Sequence, residues 1–251
     1  MDEIICVIPA RLASSRLPHK PLIDICGKPM IQRTFERACI VFGAKNTFIA
    51  TDSQEIASVM KECTQNITLT SSECLTGTDR IAEFAEIHSS KTYINLQGDE
   101  PIMPIENLQK MKDAALIYPK SIINGFGALK GRTEFESLSI PKVVFNEKFD
   151  LLYMSRATIP GSKDKTFKLG YKQICVYSFP KLALQEFRSW SKKAQFETIE
   201  DIEILRFLEK GFNIKMIELD SNTIAVDTMD DLNRVKMIIS TQGDNLEKYV
   251  V

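Results

Sequence analysis

The chain has 251 residues, 44% of them apolar and 26% charged, and its 32 Lys plus Arg against 33 Asp plus Glu leave a net charge of −1. That is a globular composition, long enough to bury a sizeable core, and it lacks the basic excess of a bulk nucleic-acid binder. No apolar run reaches bilayer length, and the acidic start Met1-Asp2-Glu3 before a short apolar run ending at Pro9 is unlike a signal peptide, so the chain is read as soluble and cytoplasmic, with no membrane and no nucleic-acid partner.

Strands and helices alternate through the first half. The unbroken apolar run Ile4–Ile8, stopped by Pro9, suits a parallel strand buried on both faces. Apolar residues at helical spacing from Pro29 to Phe42, ending at Gly43, predict a helix. Strands are expected at 47–50, 67–69 and 92–96, with helices at 54–60 and 78–87 between them. Such repeated units imply right-handed crossovers in an α/β, doubly wound, mainly parallel Rossmann-like sheet. In the second half, short strands are expected at 142–145, 151–154, 174–179, 214–217 and 223–226. Helices are expected at 181–190, 199–209 and 229–239, and a polar loop at 161–168. No repeat or linker divides the chain, so 1–251 is taken as a single domain.

The six cysteines show no C-x-x-C spacing, and His19 and His88 are the only histidines. Free thiols are therefore expected, and neither a zinc site nor a Ser-His triad is supported. In a doubly wound sheet, ligands bind beyond the carboxyl ends of the strands, which singles out three places. After the first strand, the loop Pro9–Lys20 carries Arg11, Arg16, Lys20, Ser14 and Ser15, with no acidic residue between Glu3 and Asp24; fixed cations and amides there can hold a triphosphate. No G-x-G-x-x-G and no P-loop pattern is present, which disfavours a dinucleotide dehydrogenase and a Walker-type NTPase. After the strand ending at Leu96 comes Gln97-Gly-Asp-Glu-Pro101, where Gly98 permits close backbone approach and Asp99 offers a carboxylate suited to Mg²⁺. Before the last helix, Val226-Asp-Thr228 offers Asp227, which could equally be a plain helix N-cap. Cations for phosphates and carboxylates for Mg²⁺ are the parts of nucleotidyl transfer.

These residues resemble a known family. Ile8-Pro-Ala-Arg-Leu-Ala-Ser-Ser-Arg-Leu-Pro-His-Lys-Pro-Leu22, Gly27-Lys-Pro-Met-Ile31, Ala50-Thr-Asp52, Thr76-Gly-Thr-Asp-Arg80, Asn95-Leu-Gln-Gly-Asp-Glu-Pro101, Leu152-Tyr-Met-Ser-Arg-Ala-Thr-Ile-Pro160 and Val226-Asp-Thr228 are similar, in family order, to the 3-deoxy-manno-octulosonate (Kdo) cytidylyltransferases. The resemblance implies transfer of CMP from CTP to a 3-deoxy-2-ulosonic acid with release of pyrophosphate, as a step toward lipopolysaccharide or capsule. It implies nucleotide contacts from Ala10, Arg11, Arg16, Lys20, Gly77, Thr78 and Arg80, and Mg²⁺ on Asp99 and Asp227, with Arg11, Lys20, Asp99 and Asp227 catalytic. Sugar contacts are implied for Gln97, Arg156, Gln173, Tyr177, Glu200 and Glu203. A homodimer is implied too, built through a small strand-rich region at about 130–190.

Three positions depart from the family: His19 stands for Gly, Gln173 for His, and Ile204 for Gln. The last two fall on the family's sugar side. If both face the substrate, the pocket lacks a titratable imidazole and an amide. The acid activated is therefore Kdo or a relative such as 8-amino-Kdo or a sialic-type nonulosonic acid; a catalytically idle nucleotide-binding module is the alternative from another class.

Overall fold

The computed structural model describes residues 3–13 and 16–242. Ser14 and Ser15 of the basic loop lie outside the described residues.

The first apolar run forms β1 (Ile4–Ala10), buried along its whole length. Its alternate side chains feed two cores, Ile5 and Val7 on one face of the sheet and Ile4, Cys6 and Ile8 on the other. A short hairpin, β2 (Asp24–Ile25) with β3 (Lys28–Pro29), leads into α1 (Met30–Phe42). That helix buries Ile31, Phe35, Ala38 and Phe42 in the second core. The chain continues through β4 (Thr47–Thr51), α2 (Gln54–Met60), β5 (Ile67–Leu69), α3 (Gly77–Ile87) and β6 (Thr92–Leu96). Ser53 caps α2 by accepting from the Ile56 amide, and Thr76 caps α3 by accepting from the Asp79 amide.

Residues 102–141, which the sequence pattern left without elements, fold into α4 (Ile105–Ile117), β7 (Ile122–Ala128) and α5 (Arg132–Glu136). Next come β8 (Lys142–Phe145), β9 (Leu151–Ser155), β10 (Tyr171–Pro180) and α6 (Lys181–Ser189). The helix expected over 199–209 is two, α7 (Gln195–Glu200) and α8 (Leu205–Glu209). Asp201 breaks it with a φ of 51°, a conformation that no helix can continue through. β11 (Ile214–Glu218) and α9 (Met229–Gln242) complete the fold. The strand expected at 223–226 does not form; those residues run as irregular chain.

The main sheet has the order β11-β7-β10-β6-β1-β4-β5. All neighbours along it are parallel except β10, which runs antiparallel to both β6 and β7. β8 pairs with β10, and β9 with β8. A third core, containing Leu17, Ile25, Met30, Ile102, Val226 and Val235, packs α9 against the hairpin and the loop after β1. It thereby brings residues near both chain ends to the carboxyl edge of the central strands. No helix among the described residues is long and apolar enough to cross a membrane.

Candidate active site

A cleft of about 720 Å³ opens at the carboxyl ends of β1 and β6. One wall is the end of β1 and the loop after it, with Pro9, Ala10, Arg11, Arg16 and Lys20. The other is the start of α3, with Thr76, Gly77 and Arg80. Gln97, Gly98 and Asp99, just past β6, form its floor. Gly98 is held close to β1, for a Cβ there would lie 3.1 Å from the Pro9 carbonyl oxygen.

At the cleft's centre the Lys20 ammonium donates to Asp99 Oδ2 at 2.6 Å and to Asp227 Oδ1 at 2.8 Å. Arg16 Nη2 reaches the same Asp227 oxygen at 3.0 Å. Burial alone would lower the Lys20 pKa, but the two carboxylates outweigh it and hold the ammonium above its usual range. Burial likewise works to raise the Asp227 carboxyl, yet the Lys20 hydrogen bond and charge, then Arg16, keep it below its ordinary value. Asp227 is not the cap of α9. Thr228 and Asp231 cap each other reciprocally, the Asp231 amide donating to Thr228 Oγ1 at 3.2 Å and the Thr228 amide to Asp231 Oδ2 at 2.9 Å. The Asp227 carboxylate is thus left for the cleft.

Arg80 is buried, its guanidinium paired with Asp52 at 2.9 Å and donating to Thr70 Oγ1. That ion pair connects the Ala50-Thr-Asp52 motif to the α3 wall of the cleft. Glu203 also lines the cleft, accepting from the amides of Gly77 (3.1 Å) and Thr78 (2.9 Å) and from the Thr78 hydroxyl (2.7 Å). A carboxylate on the exposed amides of a helix start is favourably placed. Three residues on, fully buried Arg206 binds Asp79 of α3 and Glu197 of α7, with its guanidinium 4.1 Å from the Phe187 ring centre.

The cleft therefore brings together Ala10, Arg11, Arg16, Lys20, Gly77, Arg80, Gln97, Asp99, Glu203 and Asp227. It does not bring in the other expected residues. Thr78 is buried under Glu203. Gln173 is buried on β10, donating to Asn124 Oδ1 and the Tyr177 hydroxyl, both at 3.0 Å. Burial raises the Tyr177 hydroxyl pKa well above its ordinary value. Glu200 accepts from Ser155 Oγ (2.6 Å) and the Arg156 amide (2.9 Å). The Arg156 guanidinium donates to the carbonyls of Leu138, Ser139, Glu200 and Asp201. Ile204, expected to face substrate if the family pattern held, is sealed in the aromatic core with Phe179 and Phe207. Lys193 and Asp201, an ion pair at 3.3 Å on the cleft wall, were missed because they stand in no motif. Glu100 was missed although it stands in the Gln97–Pro101 motif, because its partner lies far along the chain: its carboxyl accepts from the Thr223 hydroxyl and is pushed up to about 8 by burial.

Among the described residues no three His, Cys, Asp or Glu side chains converge as a metal cage. Two hard carboxylate ligands facing one point suit Mg²⁺, which takes its remaining positions from substrate phosphates and water. The donor set fits.

A sequence profile of the Cytidylyltransferase family matches residues 5–218. The 3-deoxy-manno-octulosonate cytidylyltransferase of Koribacter versatilis (strain Ellin345) is 36% identical over 245 residues, spanning 96% of this chain and 92% of that protein. The Escherichia coli protein of the same name is 34% identical over 96% of this chain and 98% of its own length. Among solved structures, CMP:2-keto-3-deoxy-manno-octonic acid synthetase complexed with CTP superposes with a TM-score of 0.88. It is 32% identical, and the match covers 96% of this chain and 100% of that one.

Proposed function

The chain belongs to the cytidylyltransferase family, and we propose that it transfers CMP from CTP to the anomeric 2-hydroxyl of Kdo, releasing pyrophosphate. The observation that carries the reading is the Lys20 ammonium between Asp99 and Asp227 in a cleft whose loop wall holds Arg11 and Arg16. The names of the relatives and the CTP complex of the structural neighbour support the substrates.

In the reaction, a bond forms from the sugar's 2-oxygen to the α-phosphorus and the bond from that phosphorus to the bridging oxygen of pyrophosphate breaks; the hydroxyl proton passes to solvent. Arg11, Arg16 and Lys20 hold the triphosphate and offset the charge that grows on the leaving group. Ala10, Gly77 and Arg80 place the nucleoside, and Gln97 and Glu203 face the acceptor. Thr78 acts at one remove, through its hydrogen bonds to Glu203. Asp99 and Asp227 would hold Mg²⁺, which when bound polarises the α-phosphate and lowers the pKa of the attacking hydroxyl.

The reading extends to assembly and place. The region 130–190 exposes Leu138, Leu152, Leu169 and Leu182, an apolar set whose burial between two copies would form a homodimer. The reaction belongs to the cytoplasm, where CTP is made, and feeds a glycolipid or capsule. Pyrophosphate release is the test: it should require CTP, Kdo and Mg²⁺ together. CTP binding in a calorimeter without turnover on Kdo, 8-amino-Kdo or a nonulosonic acid would replace this reading with an idle nucleotide-binding module. Light scattering at micromolar concentration should give twice the chain mass; a monomer would remove the assembly.

A further inference from the structure

β11 is the edge strand of the sheet, separated from β6 by β7 and β10. Asp227 nevertheless stands beside Asp99, just past the end of β6. The chain between, residues 219–227, crosses the carboxyl edge of the sheet without regular structure and is tied at each stage. The Leu219 amide donates to the Phe126 carbonyl at 2.8 Å. Asn107, fully buried on α4, accepts from the Asp220 amide at 2.7 Å and donates to its carbonyl at 2.9 Å. Lys130 donates to Asn222 Oδ1. The Thr223 hydroxyl donates to Glu100, and the Val226 amide to the Asp99 carbonyl at 2.9 Å.

The last two ties join the segments that carry the two carboxylates, one at Asp99 itself and one at its neighbour Glu100. The glycines of β7 belong to the same arrangement. A Cβ on Gly127 would lie 2.9 Å from Ser221 Cβ and 3.2 Å from the Leu219 carbonyl oxygen, and one on Gly125 would strike Leu219 Cδ1. Real Cβ atoms essentially never come as near as those at Ser221 Cβ and Leu219 Cδ1 would, so β7 lacks side chains where the strap passes over it.

We propose that this strap sets the placement of Asp227 against Asp99 and so the affinity for the divalent cation, with Thr223, Glu100 and Gly127 as positioning residues that act through Asp227. The proposal rests on Asp99 and Asp227 being the cation's ligands. Groups that fix a metal-binding side chain are worth roughly 10-fold or more in metal affinity. A part that serves the fold alone would not act through one carboxylate.

The probe is Mn²⁺ with CTP and no sugar acid, so no turnover occurs. Calorimetry gives CTP affinity in Mn²⁺ and in chelator, and their ratio reports the cation's contribution. Thr223→Val and Gly127→Ala should each lower that ratio about 10-fold while leaving the chelator value unchanged. Thr223→Ser, which keeps the hydroxyl, should restore it. In an Asp227→Asn background neither change should lower the ratio further. An unchanged ratio in both folded variants, or a loss that persists without Asp227, overturns the proposal; if Thr223→Val fails to fold, Gly127→Ala decides by the same criteria. A wild-type ratio of one removes the ligand pair and the strap's role with it. Because Kdo takes no part, absence of pyrophosphate release from CTP and Kdo is a separate failure that leaves this measurement readable.

Discussion

Replacing Lys20 with Met keeps the bulk of the stem and removes only the ammonium that lies between Asp99 and Asp227. Two ion pairs go, at 2.6 and 2.8 Å. Removing one member of a fully buried pair costs about 3–5 kcal/mol because the other charge is stranded. Here the Lys20 side chain is 15% exposed and the two carboxylates 28% and 31%, and Arg16 still reaches Asp227 at 3.0 Å. Water and Arg16 together reduce the loss to about 2–3 kcal/mol, or a fall in Tm of roughly 4–12 °C for a chain of this size. Catalysis should fall separately, since the ammonium is also a preorganised charge for the triphosphate: about 2–3 kcal/mol, or roughly 30- to 160-fold in kcat/KM. Binding of Mn²⁺ to the nucleotide-free protein should move the other way and tighten, because a competing cation has gone. The pH dependence has a definite sign. In the wild type the depressed Asp227 pKa contributes stability that is lost only as pH falls below 3.8, and the raised Lys20 pKa contributes stability lost only as pH rises past 10.5. Without Lys20, the burial that already weighs most on Asp227 is opposed only by Arg16 and Arg156 and its pKa rises, so the variant should gain on the wild type as pH falls from 7 toward 5. Calorimetric melting across that range, with pyrophosphate release at pH 7, reads all of this. A lower Tm with unchanged CTP affinity and kcat would refute the reasoning and reduce the basic loop to a structural contact.

Asp99→Asn and Asp227→Asn should each abolish turnover with near-native melting, because an amide of the same shape is a far weaker Mg²⁺ ligand; near-native turnover in both would remove them as ligands. Arg206→Met strands the buried carboxylates of Asp79 and Glu197 and should cost about 3–5 kcal/mol of stability, so urea unfolding within 1 kcal/mol of wild type, by the same principle, would show the network to be dispensable. Restoring the family residues through Gln173→His with Ile204→Gln should destabilise the protein, because the new amide at 204 would lie in an aromatic core at roughly 1–3 kcal/mol if unpaired; an unchanged Tm would mean that position 204 reaches solvent or substrate after all.

The cleft wall that carries Arg11, Arg16 and Lys20, and the floor at Gly98 and Asp99, were legible because their parts are local. A buried apolar strand, a basic loop directly after it and a glycine beside an aspartate after another strand each occupy a dozen residues or fewer, and the sheet rule puts their ends together. What stayed hidden depends on neighbours distant in sequence. β7 did not read as a strand because Asn124, Gly125 and Gly127 interrupt its apolar pattern, and the reason for those glycines lies at Leu219 and Ser221. The partners of Arg206 include Asp79, 127 residues away, and no periodicity announces such a pair. Of the residues expected to meet the sugar, Gln173, Glu200 and Arg156 all have protein partners in place of open donors and acceptors, which no motif could have told.

The two aspartates make the distinction sharpest. Asp99 stands where strand logic expects it, just past β6. Asp227 was expected on the same logic after a strand at 223–226, and no such strand exists. Residues 223–226 carry β-branched and apolar side chains, but the chain there lacks a free edge to pair with. It ties instead to Glu100, the Asp99 carbonyl and the third core. The carboxylate arrives at Lys20 all the same, because the strap carries it across the sheet and because Thr228 and Asp231 take over the capping that would otherwise have claimed it. The sequence pattern pointed to a residue that does reach the cleft, through a strand that does not form. Placement of a side chain in a cleft is settled by where its backbone is held, and the chain that carries Asp227 is held by residues distant in sequence, such as Lys130, Asn107, Glu100 and Asp99, and by the turn and helix that follow it.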